Sequence, residues 1–402
     1  MPQATPHQPQ RPALGRALTL VHTGAATTRS ELTSKLGLTR TAVGHLVGQL
    51  ADRKLVAIET HPATEGGTGR PSHRLTPHPD GPVAVAIQLH ADALSAATVG
   101  LGGARQQVVE EPLPSPAAPG PVITQVAAVA AKLARSTTRP CVGVGVALPS
   151  ALGDDGSALA ALYLDWPAAL PARRLLAAEL ARHRLWLPVA LGNDANLAAL
   201  AEHRHGAGRG ARHLLYLMTG HRGIGGGLVV DGQLHTGSAG YALEVGHLTV
   251  NPGGRPCRCG NSGCLEVEAD PAALLAAAGR GRRSGPHDLV AAARELIHAA
   301  AHDPVASAAT ATVVDHLATG LASLVNVLNP DRIVLGGLLA DLLAGHKTQL
   351  QRLLAERSFL DQAAAVALHP EQLPSSALLG AAELAMQPLL DDPQRSAARR
   401  EP

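Results

Sequence analysis

The feature that most constrains the fold is an alternation of short apolar strands with Ala-rich helices, which begins at residue 83 and fills most of the chain. Residues 83–87 and 93–99 have strand patterns, and the helical pattern of residues 122–135 leads into an apolar strand at 142–148. Strands that alternate with helices are typical of an α/β architecture. The sequence therefore predicts an α/β body over residues 83–390.

Other segments of the body have equally clear patterns. Further strands are predicted at residues 189–191, 214–218, 226–230 and 333–335, and a Pro-rich connection at residues 110–121. No uninterrupted apolar run of 18 residues is found, so we expect no membrane span.

The N-terminal segment follows a different pattern. Helices are predicted at residues 14–21, at 30–36 with Ser30 as N-cap, and from 40 to about 54 with Thr39 as N-cap, followed by strands at 55–58 and 70–75 around a Gly-rich tip. This order is typical of a winged helix-turn-helix, which we assign to residues 14–76. Residues 77–82 are then a linker, and residues 1–13 and 391–402 are expected to be disordered.

A winged helix-turn-helix reads DNA with the first residues of its second helix. Here these are Thr39, Arg40, Thr41 and His45, while Arg70 lies in a Gly-Arg-Pro wing tip suited to a minor groove or to phosphates. Residues 1–80 contain nine Lys and Arg against five Asp and Glu, a modest basic bias that favours nucleic acid. The alternative is a protein-interaction module in which Arg40 is merely solvated.

Aromatic residues are scarce, with one Phe, three Tyr and two Trp in 402 residues. This composition excludes recognition of nucleic acid by stacked aromatic platforms.

The segment 244–266 combines sulfur and imidazole ligands with several glycines. The four candidate ligands of a structural zinc site are His247, Cys257, Cys259 and Cys264. A Cys₃His set closes a tetrahedron around Zn²⁺, and a thiol cluster of this kind suits a reducing, cytoplasmic compartment. The alternative is three ordinary cysteines in a loop. The remaining cysteine, Cys141, is expected to be structural.

Polar residues near this loop suggest a small-molecule site. Asn193 and Asp194 follow a strand and start a helix, a corner where α/β folds bind ligands. With Glu244, His247 and Glu266 they offer hydrogen bonds suited to a polyol. Taken alone, the Asn-Asp pair is also compatible with a simple helix cap.

Two glycine-rich corners follow strands. Their glycines are Gly223, Gly225, Gly226 and Gly227 in the first corner, and Gly336 and Gly337 in the second. Backbone N–H groups at such corners can cradle a phosphate, although the first corner is equally compatible with a tight hairpin.

These residues resemble the ROK family, which unites bacterial sugar kinases with sugar-responsive repressors. The resemblance runs from Val83 to about Met386. Its most specific part is Glu244-Val245-Gly246-His247 followed by Cys257-x-Cys259-Gly260-x-x-Gly263-Cys264-Leu265-Glu266. It implies an actin-like (ribonuclease H-like), two-lobed α/β fold with sugar bound between the lobes. It also implies that Asp194 matches the kinase base, that Asn193, Glu244, His247 and Glu266 match sugar contacts, and that His247 doubles as a zinc ligand.

The departures from the family pattern bear on function. Family kinases carry an Asp-x-Gly-x-Thr turn for the ATP phosphates, whereas this chain has Gln88-Leu89-His90-Ala91-Asp92. Phosphoryl transfer depends on positioning and charge neutralisation, so its loss predicts an inactive kinase-like domain with no catalytic residue. Leu243 also replaces a glycine usual before Glu244. Together with the N-terminal unit, the resemblance implies a cytoplasmic transcriptional regulator that acts as a repressor. We expect it to bind operator DNA and a sugar or sugar derivative. Because helix-turn-helix proteins gain affinity by pairing, we also expect a homodimer or homotetramer. The alternative is an active sugar kinase with a DNA-binding arm.

Overall fold

The computed structural model describes residues 12–60, 73–161, 164–220, 223–281, 286–360 and 366–394. The first of these ranges begins a small unit of three helices and a hairpin. The elements of this unit are α1 (Ala13–His22), α2 (Arg29–Leu36), α3 (Arg40–Asp52), β1 (Val56–Thr60) and β2 (His73–Pro77). The two strands pair antiparallel, and buried apolar residues of every element form the core. This is the order predicted for a helix-turn-helix followed by a hairpin. Residues 1–11, the wing tip with Arg70, and residues 395–402 lie outside the described residues.

Two of the three helices in this unit, α2 and α3, begin at a side-chain cap. Thr28 is the N-cap of α2, since its hydroxyl accepts the N–H of Glu31 and the Glu31 carboxylate accepts the N–H of Thr28, both at 3.2 Å. The prediction of Ser30 as N-cap was therefore wrong, because the reciprocal Thr-x-x-Glu pairing begins two residues earlier. Thr39 caps α3 by accepting the N–H of Ala42, as predicted.

The rest of the chain is built on two sheets. The strands of the first are β3 (Val83–Leu89), β4 (Ala93–Gly100), β5 (Arg105–Pro112), β6 (Cys141–Leu148) and β9 (Val189–Asn193), with a small pair, β7 (Ala151–Leu152) and β8 (Ala158–Ala160), beside them. The strands of the second are β10 (His213–Thr219), β11 (Ile224–Val230), β12 (Gln233–Leu234), β13 (Arg332–Gly336) and β14 (Ala367–Pro370).

Both sheets have the same topology. The strand order is β5-β4-β3-β6-β9 in the first and β12-β11-β10-β13-β14 in the second. In each sheet, the first three strands in sequence pair antiparallel as a meander. The last two strands then add in parallel beside the first strand, β3 or β10, on its free side. This duplication is the actin-like, two-lobed α/β fold that the resemblance implied.

Helices cover the sheets and fill the space between them. They are α4 (Pro119–Ser136), α5 (Ala172–Arg182), α6 (Asp194–His205), α7 (Leu265–Ala269), α8 (Pro271–Ala277), α9 (Pro286–Ala299), α10 (Pro304–Leu328), α11 (Leu338–Arg357) and α12 (Ser376–Asp391). α6 packs on β10 and β11 of the second sheet, and α12 packs on β3 and β6 of the first. α6 and α12 also pack on each other, so these two helices join the lobes.

Several boundaries differ from the sequence prediction: α1 begins at Ala13 and α12 continues to Asp391, inside the segments expected to be disordered, and β2 continues to Pro77, inside the expected linker. The Pro-rich connection predicted at residues 110–121 is shorter, because β5 continues to Pro112 and α4 already begins at Pro119. β5 is an edge strand with an exposed, polar outer side, which hides its strand pattern, and proline is favourable in the first turn of a helix.

One helix, α10, is long and apolar enough to cross a membrane by length and composition alone. Half of its most apolar window is buried in the protein, and its side chains Val313, Leu317 and Leu321 belong to the core of the second lobe. A core helix of this kind satisfies the same criterion without spanning a bilayer.

Candidate functional site

The site is built around the corner where β9 ends and α6 begins. The Asn193 side chain is the N-cap of α6, since its Oδ1 accepts the N–H of Asn196 at 3.0 Å. Its Nδ2 donates to the carbonyl oxygen of Ser150 at 3.2 Å, which ties the corner to the end of β6. The helix-cap interpretation therefore holds for Asn193, and Asp194 is the carboxylate that the first turn of α6 presents.

Asp194 is half-buried, and its environment opposes ionisation. Burial, and then the nearby Glu244 carboxyl, raise the pKa of Asp194 to about 7, against a partial opposing effect of the Ala195 N–H that it accepts at 2.9 Å. Burial also raises the pKa of Glu244. The nearby His247 partly opposes this shift, and the Glu266 carboxyl adds to it. Carboxyls with raised pKa values in one cleft are typical of functional sites.

The four predicted zinc ligands come together. One ligand atom each of His247, Cys257, Cys259 and Cys264 lies within 4.8 Å of all the others. The Sγ atoms of Cys259 and Cys264 are 3.7 Å apart, and Cys257 Sγ is 3.7 Å from His247 Nδ1. A tetrahedron with Zn–S bonds of about 2.3 Å has edges of about 3.8 Å, so the donor set fits Zn²⁺ in number, chemistry and spacing. Cys141 lies outside this group, at the start of β6.

Two residues connect the metal ligands with the Asp194 corner. His247 faces the thiols with Nδ1, which leaves its Nε2 for another contact. Glu266 is buried, its Oε1 accepts from Cys257 Sγ at 2.9 Å, and the same atom lies 3.7 Å from His247 Nδ1. The fold therefore brings Asp194, Glu244 and the metal loop into one electrostatic cluster.

The first glycine-rich segment is a hairpin. Gly223 has a left-handed φ of 75°, while Gly225, Gly226 and Gly227 lie inside strand β11 rather than in an open turn. A Cβ on Gly225 or Gly227 would lie 2.7 or 2.6 Å from an alanine Cβ of α6, so these glycines allow close packing of strand on helix. His221 and Arg222 lie outside the described residues.

The second corner is occupied by the protein's own side chains. Gly336 ends β13 and Gly337, with φ 59°, is the N-cap of α11. The N–H of Gly337 donates to Glu371 Oε1 at 2.8 Å, and Tyr216 Oη donates to Glu371 Oε2 at 2.9 Å. Thr219 Oγ1 accepts the next N–H of the helix at 2.8 Å. Sequence reasoning missed Glu371, which no motif marks.

At the first nucleotide turn, the structure places Gln88 at the buried end of β3, paired in register with Ser95 and Ala147 of the neighbouring strands. His90 Nε2 lies 3.2 Å from Ser95 Oγ across the turn. An uncharged glutamine, Gln88, therefore stands where the resemblance to the family kinases implies an aspartate.

The first turn of α3 is accessible. Thr39, Arg40, Thr41 and His45 are all exposed, and open space surrounds the Cα of Gly44 on the same side. The opposite face, with Val43, Val47 and Leu50, is buried in the core of the unit. The geometry leaves the predicted reading end of the helix open to a large ligand.

Fold and site together define the class of protein. It has a duplicated, actin-like α/β body, a Cys₃His cluster in the loop next to the start of α6, and a preceding helix-turn-helix unit. Residues 84–388 match the ROK family, and the chain belongs to that family.

The matched relatives include both branches. A glucokinase from Halalkalibacterium halodurans is 37% identical over 208 residues, which are 49% of this chain and 61% of that protein. The xylose repressor of Caldicellulosiruptor bescii is 29% identical over 274 residues, 65% of this chain and 67% of the repressor. The chain therefore spans about two thirds or less of these relatives.

A solved structure extends the likeness to the N-terminal unit. The structure of a ROK family transcriptional regulator, a homolog of the E. coli Mlc protein, superposes with a TM-score of 0.73 at 22% identity. It covers 94% of this chain and 96% of that one. The described architecture, including the N-terminal unit, therefore has the fold of that regulator.

Proposed function

We propose that this chain is a cytoplasmic transcriptional regulator of sugar or sugar-derivative metabolism that acts as a repressor. It binds operator DNA through the winged helix-turn-helix of residues 14–76 and binds its effector at Asn193, Asp194, Glu244, His247 and Glu266. The proposal is supported by one combination: an exposed reading end of α3 joined to a kinase-like body that has Gln88 in the ATP-phosphate turn and the Glu371 carboxylate at the start of α11.

The alterations argue against phosphoryl transfer. Gln88 carries no charge to hold a metal ion. The Gly337 N–H at the start of α11 is already bonded to the Glu371 carboxylate. A helix N-terminus attracts anions, so a carboxylate held there competes with and repels a phosphate. These two features support the proposal that the kinase-like body does not transfer phosphate.

The effector site keeps its polar groups. Glu244 is close enough to Asp194 and to His247 to share an electrostatic environment with both, and the three side chains offer carboxyl and imidazole groups that can bind hydroxyls. A structural Zn²⁺ held by His247, Cys257, Cys259 and Cys264 would fix the loop that carries two of these groups. Its chemistry is structural, because four protein ligands leave no open position for catalysis.

The decisive measurement is operator affinity titrated against sugars. DNA selected from a random pool by the full-length protein serves as operator, and aldoses, N-acetylhexosamines and their 6-phosphates serve as effectors. A sugar that shifts the affinity supports the proposal, while selection that yields no preferred sequence contradicts it.

The second candidate is an active sugar kinase with a DNA-binding arm, which the retained Asp194 favours. A coupled ATP-consumption assay with the same sugars separates the two. The control is Asp194→Asn, which removes the residue that the resemblance matches to the kinase base: turnover in the wild-type chain that this variant abolishes would establish the kinase. We expect the wild-type chain and Asp194→Asn to show the same background ATP consumption, with no turnover that depends on sugar.

A further inference from the structure

A buried polar cluster lies where the helix-turn-helix unit meets the body. Its centre is Glu383 of α12, whose side chain is fully buried. His22 Nε2, at the end of α1, lies 2.9 Å from Glu383 Oε1 and 3.0 Å from Oε2. From α6, Arg204 Nη1 donates to Oε2 at 2.6 Å, and His205 Nε2 lies 2.9 Å from Oε1. We call these four residues the Glu383 cluster.

The cluster is a hydrogen-bond network rather than a second metal site. His22, His205 and Glu383 are close enough to share a cation. However, the Gly102 N–H donates to His22 Nδ1 at 2.9 Å, so the ring proton lies on Nε2, where it donates to Glu383 instead of leaving a lone pair for a metal. The Arg204 guanidinium already neutralises the carboxylate.

One side of the network reaches the effector site through a single helix. α6 begins with Asp194 and carries Arg204 and His205 in its last turn, about 17 Å away along a helix of this length. α12 packs against α6 without intervening side chains at Gly380, where a Cβ would overlap the carbonyl oxygen of Leu197. A shift of α6 therefore moves Glu383.

The other side reaches the DNA-binding unit. A Cβ on Gly15 of α1 would lie 2.6 Å from the carbonyl oxygens of Leu390 and Asp391, so the backbones of α1 and α12 are in close contact. The apolar face of α1 shares one core with the end of α12. α1 is thus fixed to α12 at both of its ends, by backbone packing near Gly15 and by His22 on Glu383.

We infer that Glu383 is the positioning residue that transmits occupancy of the Asp194 site to the orientation of the DNA-binding unit, through α6 on one side and His22 on the other. This rests on the proposed function, since it assigns a route to the effector response. A ligand changes operator affinity only if it favours one arrangement of the two units, and Glu383 is the polar contact common to α1, α6 and α12 within the described residues.

The test measures the ratio of operator affinities without and with sugar for the full-length chain. The probes are the DNA fragment selected in vitro and the sugar from the panel that most changes wild-type affinity. Glu383→Gln loses the charge that Arg204 pairs with, and His22→Leu loses the link to α1. We expect a wild-type ratio of fivefold or more to fall to within twofold of unity in both variants, with sugar affinity retained.

Two controls separate coupling from general destabilisation. His22→Gln keeps an N–H donor for Glu383 and should retain much of the ratio, whereas His22→Leu should not. Glu202→Gln changes a second fully buried glutamate, which lies on α6 and accepts the N–H groups of Ala207, Gln372 and Leu373, none of which belongs to α1. It should lower the unfolding temperature and leave the ratio unchanged.

The outcomes distinguish this inference from the proposed function. If the wild-type chain responds to a sugar and both cluster variants respond by the same factor, the route through Glu383 is wrong and the regulator stands. An equal loss of the ratio in Glu202→Gln would also overturn it. If no sugar in the panel changes wild-type affinity, the sensing function fails and the route fails with it. Should Glu383→Gln not fold, the pair His22→Leu and His22→Gln decides.

Discussion

At the scale of single residues, backbone conformation marks the effector site as strained. Leu243 has a φ of 68°, a left-handed conformation that a branched side chain adopts only at a cost of about 1–2 kcal/mol. The resemblance to the ROK family implies a glycine at this position. Strain next to Glu244 is consistent with a pocket whose shape has changed, because such strain persists where surrounding contacts enforce it.

Arg40 provides the most direct test of DNA reading. Because the side chain is exposed at the start of α3, Arg40→Ala should fold normally and weaken operator binding by about 1–3 kcal/mol, roughly 5- to 150-fold. Fluorescence anisotropy with the selected fragment measures this. The exposed Arg352→Ala on α11 is the matched control and should bind as the wild type does. Equal affinities of all three proteins would refute a base-reading role.

Asp194 should make stability depend on pH. Its pKa is about 7 in the folded protein and near 3.8 when unfolded, so the unfolded state loses its proton first as pH rises. The stabilisation is fully present below about pH 4 and is lost by about pH 7. Asp194→Asn cannot ionise, so the variant should become more stable relative to wild type between pH 5 and pH 8.

Thermal unfolding at those two pH values measures the difference. Asp231→Asn, which replaces an exposed carboxyl, is the control and should track the wild type at both values. A gap between Asp194→Asn and wild type that does not change with pH would show that Asp194 ionises freely in the folded state.

At the scale of elements, short sequence patterns were sufficient to predict most helices and strands, but they did not predict contacts between residues far apart in the chain. The Thr39 cap and the central strands followed from short patterns, since each depends on neighbours in sequence. β5 and β14 were missed because edge strands need little apolar surface. The four metal ligands were found through their spacing, whereas His22 and Glu383 meet across 361 positions, and only the packing of α1 on α12 brings them together.

The metal loop should depend on Zn²⁺ for its structure. Purified protein is expected to contain one zinc ion per chain, and Cys264→Ser should lose it and lower the unfolding temperature by about 5 °C or more, because ligand binding energy is folding energy in such loops. Cys141→Ser is the control and should keep its zinc. Metal analysis and calorimetry provide both readings. Full zinc content in Cys264→Ser would exclude this ligand set.

At the scale of the whole molecule, the two lobes and the N-terminal unit meet at one pair of helices. α6 packs on the second sheet and α12 on the first, the two helices pack on each other, and α1 packs on α12, so the proposed sensing and DNA-binding functions would both depend on this helix pair. Packed helices of this kind move between discrete arrangements rather than deform continuously. A change of arrangement in one chain matters most if two chains must fit one DNA molecule.

Operator geometry tests that dependence. As a homodimer or homotetramer, the protein should place two helix-turn-helix units on half-sites whose centres are separated by whole turns of DNA, about 10 or 21 base pairs. Inserting about 5 base pairs between the half-sites rotates one of them to the opposite face of the duplex, so affinity should fall at least about tenfold. A further insertion that completes the turn should restore part of it, because both units then face the same side again. Gel shifts on this spacing series, with sedimentation to count chains per duplex, provide the measurement. Affinity that is independent of spacing, with one chain per half-site, would mean that each chain binds alone, and an effector could then act only within a single chain.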